Sequence, residues 1–147
     1  MTPDPRIGVP RAREELFAAH LLATTGFAAQ TVALAFRAAL AAAESVLLEL
    51  GRPPEPEPGA VVAAFVRHVV LERGLDPDTG RLLRSLYNRA ELAHADGAVP
   101  PGEGPAAISD ATTVVDVVDE WLKHSDYVAI ARGEGTPTRP RPPRRRR

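Results

Sequence analysis

The sequence contains no cysteine, a single lysine and only seven aromatic residues among its 147. Without cysteine, neither a disulfide framework nor a thiolate metal site can form. Residues 1–10 have no apolar run, so we expect no secretory signal there. The most apolar stretch, Phe27–Leu50, carries a charged or amide side chain every turn or two. We therefore expect a cytoplasmic protein without a membrane span.

What the chain has in abundance is alanine, at 25 positions, and proline, at 15. Alanine favours closely packed helices, whereas proline ends or kinks a helix interior. The proline-free stretches all have helical periodicity: 11–52, 59–76, 78–99 and 106–136. The first stretch holds two helices, since Thr24–Gly26 interrupts its apolar pattern. We therefore predict an all-α bundle of about five helices.

Local signals set the expected bounds of these helices. The second helix runs from about Phe27 to Leu50, and Gly51 suits the position just after its end. Asp76 and Pro77 are a good N-cap and first residue for the fourth helix. Residues 97–105 read as a loop before the fifth helix. The β-branched segment Ala60–Arg73 permits a buried strand, but its length favours a helix.

Charge is distributed unevenly along the chain. Residues 1–131 have a formal charge of −7, and residues 132–147 have +6 from seven arginines and one glutamate. The segment 133–147 has no apolar side chain beyond its prolines, so we predict that it is disordered. Its arginines are candidates for binding nucleic acid by counterion release. These are Arg139, Arg141, Arg144, Arg145, Arg146 and Arg147.

The segment Tyr87-Asn88-Arg89-Ala90-Glu91-Leu92-Ala93-His94 ends the predicted fourth helix with an Arg-x4-His motif. This motif, in this order of helices, resembles the HEPN superfamily (higher eukaryotes and prokaryotes nucleotide-binding domains), especially its small stand-alone bacterial members. The resemblance covers about residues 11–124, flanked by an N-terminal extension, 1–10, and an Arg/Pro-rich tail, 125–147. It implies a helical domain that forms a homodimer. Active relatives are metal-independent endoribonucleases, and many are toxins encoded beside a nucleotidyltransferase antitoxin.

Carried over to this sequence, the resemblance implies that Arg89 holds a phosphate, that His94 is the general acid or base, and that Asn88 assists. A guanidinium can fork onto phosphate oxygens, and an imidazole can move protons near neutral pH. Five residues on one helix separate two side chains by about 140°. The pair can therefore converge only if the helix ends between them or a second protomer completes the site. No metal or cofactor is expected.

Three alternatives stay open from the residues alone. In the first, Arg89 pairs with Glu91, Asp96 or an acidic group on another helix, and the bundle is a non-catalytic module that binds a protein partner. In the second, only the basic tail binds RNA. In the third, the tail folds back on the acidic body. His20 and His68, which lie among apolar neighbours, are expected to be partly buried.

Overall fold

A computed structural model describes residues 8–96 and 99–131, with side chains for 8–95 and 99–124. This part of the chain is all-helical and has no strand, which confirms the predicted fold class. Its five α-helices are α1 (Gly8–Ala23), α2 (Ala28–Glu49), α3 (Pro58–Phe65), α4 (Pro77–Asp96) and α5 (Glu103–Ala131).

The turn between α1 and α2 forms where the apolar pattern is interrupted. The hydroxyls of Thr24 and Thr25 donate to the carbonyls of Leu21 and Leu22, which lie in the last turn of α1. Gly26 then has a positive φ of 85°, a conformation that costs glycine little. The chain reverses there, and α1 packs antiparallel against α2.

Helix α2 is the centre of the bundle and packs against α1, α4 and α5. The helices can approach one another closely because a row of small side chains on α2 is fully buried. These are Ala35, Ala38, Ala39, Ala42 and Ala43. The helix ends as predicted at Gly51, where φ is 75° and the following Arg52 N–H donates to the carbonyl of Leu47 at 2.9 Å.

By length and composition alone, α2 could cross a membrane, and it is the one such helix in the described part of the chain. In the bundle, 61% of its most apolar 18-residue window is buried. The core helix of a soluble protein has the same properties. The absence of a membrane span therefore stays a prediction.

The β-branched segment after the connector is helical, so the strand alternative is wrong. Helix α3 continues directly into a π-helical turn, Val66–Leu71, and the chain leaves it at Gly74 with φ of 76°. The π-helical turn packs on the first turn of α4, where a Cβ on Gly80 would lie 3.2 Å from Val70. The glycine allows the two backbones to come close.

Helix α4 begins as predicted. The Asp76 carboxylate accepts a hydrogen bond from the Asp78 N–H at 3.0 Å, which caps the helix, and Pro77 is its first residue. Leu83, Leu86 and Ala93 bury its inner face against the core. The helix is continuous to Asp96, so it includes the whole Arg-x4-His motif.

Helix α5 begins earlier than predicted, because Glu103 belongs to the helix and not to a loop over 97–105. Pro105 is tolerated since a first-turn residue needs no N–H partner. Gly104 lies so close to α2 that a Cβ there would be 3.1 Å from the Thr31 side chain. The helix continues to Ala131, beyond the domain boundary expected at 124. Residues 1–7 and the tail predicted to be disordered, 133–147, lie outside the described residues.

Candidate functional site

The candidate site residues lie on the last three turns of α4. Because the helix is unbroken from Pro77 to Asp96, it does not end between Arg89 and His94. Their side chains therefore leave the helix about 140° apart. Asn88 is exposed and makes no side-chain hydrogen bond within the described part of the chain. One chain alone does not bring the three side chains to a common point.

The Arg89 guanidinium is held by α5 and by its own helix. Its Nε donates to Oε2 of Glu103 at 2.5 Å, and its Nη1 donates to Oδ2 of Asp110 at 2.9 Å and to Oγ of Ser85 at 3.1 Å. Glu103 is the first residue of α5, and Asp110 lies two turns further on. Arg89 therefore fastens the end of α4 to the start of α5.

Electrostatics make this cluster a poor phosphate site. Burial lowers the pKa of Arg89, but the hydrogen bonds and charges of Glu103 and Asp110 outweigh it and raise that pKa. The Arg89 side chain is 22% exposed, and two carboxylates surround one guanidinium. A phosphate approaching Arg89 would meet an excess of negative charge. The sequence left open the alternative that Arg89 pairs with an acidic group on another helix, and the structure has this pairing with Glu103 and Asp110 of α5.

His94 has quite different surroundings. It is exposed, forms no hydrogen bond or ion pair within the described part of the chain, and lines a groove of about 460 Å³ between α4 and the start of α2. We call this groove 1. Its lining contains no Asp, Glu, Lys or Arg: Gly26, Phe27, Ala28, Ala29, Gln30, Ala33, Ala90, Ala93, His94 and Val99.

The first turn of α2 forms one wall of groove 1. The N-cap residue is Phe27, whose side chain cannot accept a hydrogen bond, so the helix start has no side-chain cap. The positive end of the α2 dipole therefore belongs to the same groove lining as His94. An imidazole at this position has room to exchange a proton with a bound molecule.

A second groove lies beside the first, between the end of α1 and the start of α5. It has a volume of about 540 Å³ and also lacks Asp, Glu, Lys and Arg. The Thr24 hydroxyl already donates to a carbonyl of α1, and the hydroxyls of Thr112 and Thr113 donate to carbonyls of α5. His20 is exposed at its rim, contrary to the prediction of partial burial. We call this groove 2, and its lining is His20, Ala23, Thr24, Pro105, Ile108, Ser109, Thr112 and Thr113.

Four large apolar side chains are exposed toward the same end of the bundle as the two grooves. Phe17 and Leu21 lie one turn apart on α1, Phe27 is at the start of α2, and Leu92 is near the end of α4; each is more than half exposed. We call these four side chains, with the linings of grooves 1 and 2, the neutral end. Several exposed large apolar side chains at one end of a fold are typical of interaction sites. The helical periodicity of the sequence did not predict this exposed surface. The apolar residues of α1 nevertheless cover a wider part of the helix circumference than one buried face requires.

The other candidate residues lie away from the two grooves or outside the described part of the chain. Within the described part of the chain, no group of three His, Asp or Glu side chains is placed to hold a metal ion. The arginines from Arg139 to Arg147 lie outside the described residues. His68 is partly buried as predicted, since 15% of its side chain is exposed. No protein-family model, curated protein or solved structure matches this chain.

Proposed function

We propose that this chain is a HEPN-like helical module that acts by associating with a second copy of itself through the neutral end. The observation that supports it is the coincidence of four exposed large apolar side chains with two unfilled, uncharged grooves at one end of the bundle. In this proposal Arg89 braces α4 against α5 and takes no part in chemistry.

Charge favours a second copy as the partner. Residues 1–131 have a formal charge of −7, so two copies repel each other over most of their surfaces. The linings of both grooves carry no charge when histidine is neutral. Two acidic bodies can therefore bring these groove linings together without placing charged side chains of the linings opposite each other.

Shape favours the same partner. A two-fold symmetric interface brings one patch against an identical patch, so that patch needs both projections and hollows. The neutral end has both: Phe27 lines groove 1 and is more than half exposed, while Phe17 and Leu21 project from α1 and Leu92 projects from the outer face of α4. The exposed apolar side chains of one copy can then pack into the grooves of the other copy.

Sedimentation velocity of the full-length chain tests this association. We expect the wild type to form dimers, and Leu92→Glu to weaken dimerisation at least about tenfold, since burying an unpaired carboxylate costs well over 1.4 kcal/mol. Leu71→Glu is the matched control, because Leu71 is the exposed large apolar side chain of the π-helical turn, away from the neutral end. A monomeric wild type, or equal loss in both variants, contradicts the proposal.

A second candidate function is metal-independent cleavage of RNA, or binding of a nucleotide phosphate, in a cytoplasmic toxin–antitoxin or defence system. The observation that favours it is the position of His94, exposed in groove 1 at the neutral end. Self-association there brings the groove 1 surfaces of two copies together. Each His94 then acts as general acid or base opposite a group of the other copy. A nucleotidyltransferase is the antitoxin partner that the HEPN resemblance implies.

Incubation of purified protein with total RNA in EDTA tests this second candidate. His94→Ala removes the proton-transfer group, so cleavage must be lost in this variant. Asn88→Ala tests the assisting role implied for Asn88. His20→Ala is the matched control, because His20 is also exposed but lines groove 2. Cleavage by the wild type that persists in His94→Ala contradicts a catalytic role for His94, and no cleavage by dimeric wild type contradicts ribonuclease activity.

A further inference from the structure

The far end of α2 carries a small pocket that the proposed self-association does not use. It has a volume of about 220 Å³ and lies between the last turns of α2, the proline-rich connector and the start of α3. We call it the connector pocket. Its lining is Glu44, Leu47, Leu48, Arg52, Pro53, Pro54, Glu55 and Val61. Leu47 and Val61 are buried and form an apolar floor, while the two prolines form a stiff wall.

Two carboxylates of this pocket have no ion-pair partner in the structure, although Arg52 also belongs to the lining. Neither Glu44 nor Glu55 forms a hydrogen bond or ion pair within the described part of the chain. Partial burial, together with the nearby charge of Glu15, raises the pKa of Glu44. Such a site is complementary to an arginine side chain, whose apolar stem can lie on the floor while its guanidinium meets a carboxylate.

The chain itself contains a segment of the matching composition. Residues 132–147 contain seven arginines and four prolines, with a formal charge of +6. They have no aromatic residue, and their arginines alternate with prolines over Arg139–Pro143. Extended proline-rich segments lose little conformational entropy when they bind a groove, because they are already stiff.

This segment starts at the correct end of the bundle. Arg13 of α1 forms a salt bridge with Asp119 of α5, and Gly8 lies against Ser45 of α2, so α5 runs toward the end where the connector pocket lies. From Asp119 to Ala131 the helix advances about 18 Å. The eight residues from Ala131 to Arg139 can span up to about 27 Å, which is longer than that advance, so the segment can turn back toward this end of the bundle.

We propose that the arginine-rich C-terminal segment, residues 132–147, docks in the connector pocket of its own chain, with arginine side chains on Glu44 and Glu55. The contact depends on charge, so it is weakened by salt. It also withholds the same arginines from other anions such as RNA phosphates, which compete with the two carboxylates for them.

Paramagnetic relaxation enhancement in the full-length chain tests this docking directly. Because the chain has no cysteine, Thr138→Cys gives a single position for a spin label. We expect the label to broaden the amide signals of Leu47, Leu48 and Val61, and not those of Ala90 and Ala93 in groove 1. Adding Glu44→Gln and Glu55→Gln must remove this broadening. The matched control, Glu14→Gln with Glu91→Gln, makes the same change in charge at two exposed residues outside the pocket and must retain it.

Three results overturn the proposal. The first is an absence of broadening at the connector pocket at low salt. The second is broadening that survives Glu44→Gln with Glu55→Gln, since the contact would not then depend on these carboxylates. The third comes from a mixed sample, in which one set of chains carries the isotope label and the other set carries the spin label. Broadening of the connector-pocket signals in that sample would arise between different chains. That result would mean that the segment docks on another copy.

Discussion

Arg89 and His94 lie five residues apart on one helix, yet their surroundings are opposite. Arg89 is mostly buried and shared between two carboxylates of α5, whereas His94 is exposed in a groove whose lining has no Asp, Glu, Lys or Arg. The difference arises from what faces each side of α4: the acidic first turns of α5 on one side and the uncapped start of α2 on the other. Adjacent members of a motif can therefore have unrelated roles.

Alanine substitutions of Arg89 and His94 should differ most in their effect on the stability of the fold. Arg89→Ala leaves Glu103 and Asp110 facing each other without a cation, so we expect the free energy of unfolding to fall by roughly 1–3 kcal/mol. His94→Ala removes no hydrogen bond or ion pair of the described part of the chain and should change that free energy by less than about 0.5 kcal/mol. Chemical denaturation of both variants measures the difference.

The cause of the Arg89 effect can be tested by a rescue. Adding Glu103→Gln and Asp110→Asn to Arg89→Ala removes the repulsion between the two carboxylates, so most of the lost stability should return. Arg89→Lys should restore only part of it, because one ammonium lacks the planar fork that reaches both partners. If Arg89→Ala were as stable as the wild type, the bracing role would be wrong.

A substitution at the start of α2 should have a smaller effect, which stabilises the monomer but weakens the dimer. Phe27→Ser supplies the missing N-cap and should raise the free energy of unfolding of the monomer by about 0.5–1 kcal/mol. The same change removes an apolar projection of the neutral end, so it should weaken dimerisation. Denaturation at low concentration and sedimentation at high concentration measure the two quantities. Stronger dimerisation in Phe27→Ser would contradict the role of this side chain.

The smallest expected effect is on the pKa of Glu72, which lies beside His68. Unlike His94, His68 has a carboxylate partner in the described part of the chain. Nδ1 of His68 lies 3.0 Å from Oε1 of Glu72, and this hydrogen bond lowers the pKa of Glu72. The contact therefore stabilises the fold above the usual range of a glutamate and is lost as pH falls through the lowered pKa. His68→Leu should raise the pKa of Glu72, as measured by carboxyl carbon chemical shifts. An unchanged titration would mean that the pair is absent in solution.

Much of the fold could be predicted because its signals are local. Proline positions, the Asp76 cap and Gly51 after α2 act within a few residues, and the structure confirms each of them. The start of α5 was placed too late, because Gly102–Pro105 resembles a turn and only its packing against Thr31 favours a helix. The π-helical turn has no local signal, since the valines of Val61–Val70 suit an α-helix equally well.

The site was harder to predict because its partners are distant in sequence. Arg89 is paired with residues 14 and 21 positions further along the chain, so neither pairing follows from helical periodicity. Periodicity does predict that Arg89 and His94 diverge on an unbroken helix, and the structure has an unbroken helix there. The exposure of Phe17, Leu21 and Leu92 depends on where neighbouring helices end, which spacing alone does not specify.

The central claim is that two copies meet at the neutral end, and the distance between spin labels in the dimer tests it most directly. The cysteine-free chain allows one label per copy, at Ala95→Cys beside His94 or at Arg73→Cys near the other end of α4. Since Ala95 lies at the neutral end and α4 separates it from Arg73 by about 30 Å, we predict that the Ala95 labels lie closer together than the Arg73 labels. A shorter distance between the Arg73 labels than between the Ala95 labels would contradict this claim. So would the absence of a measurable distance in both variants.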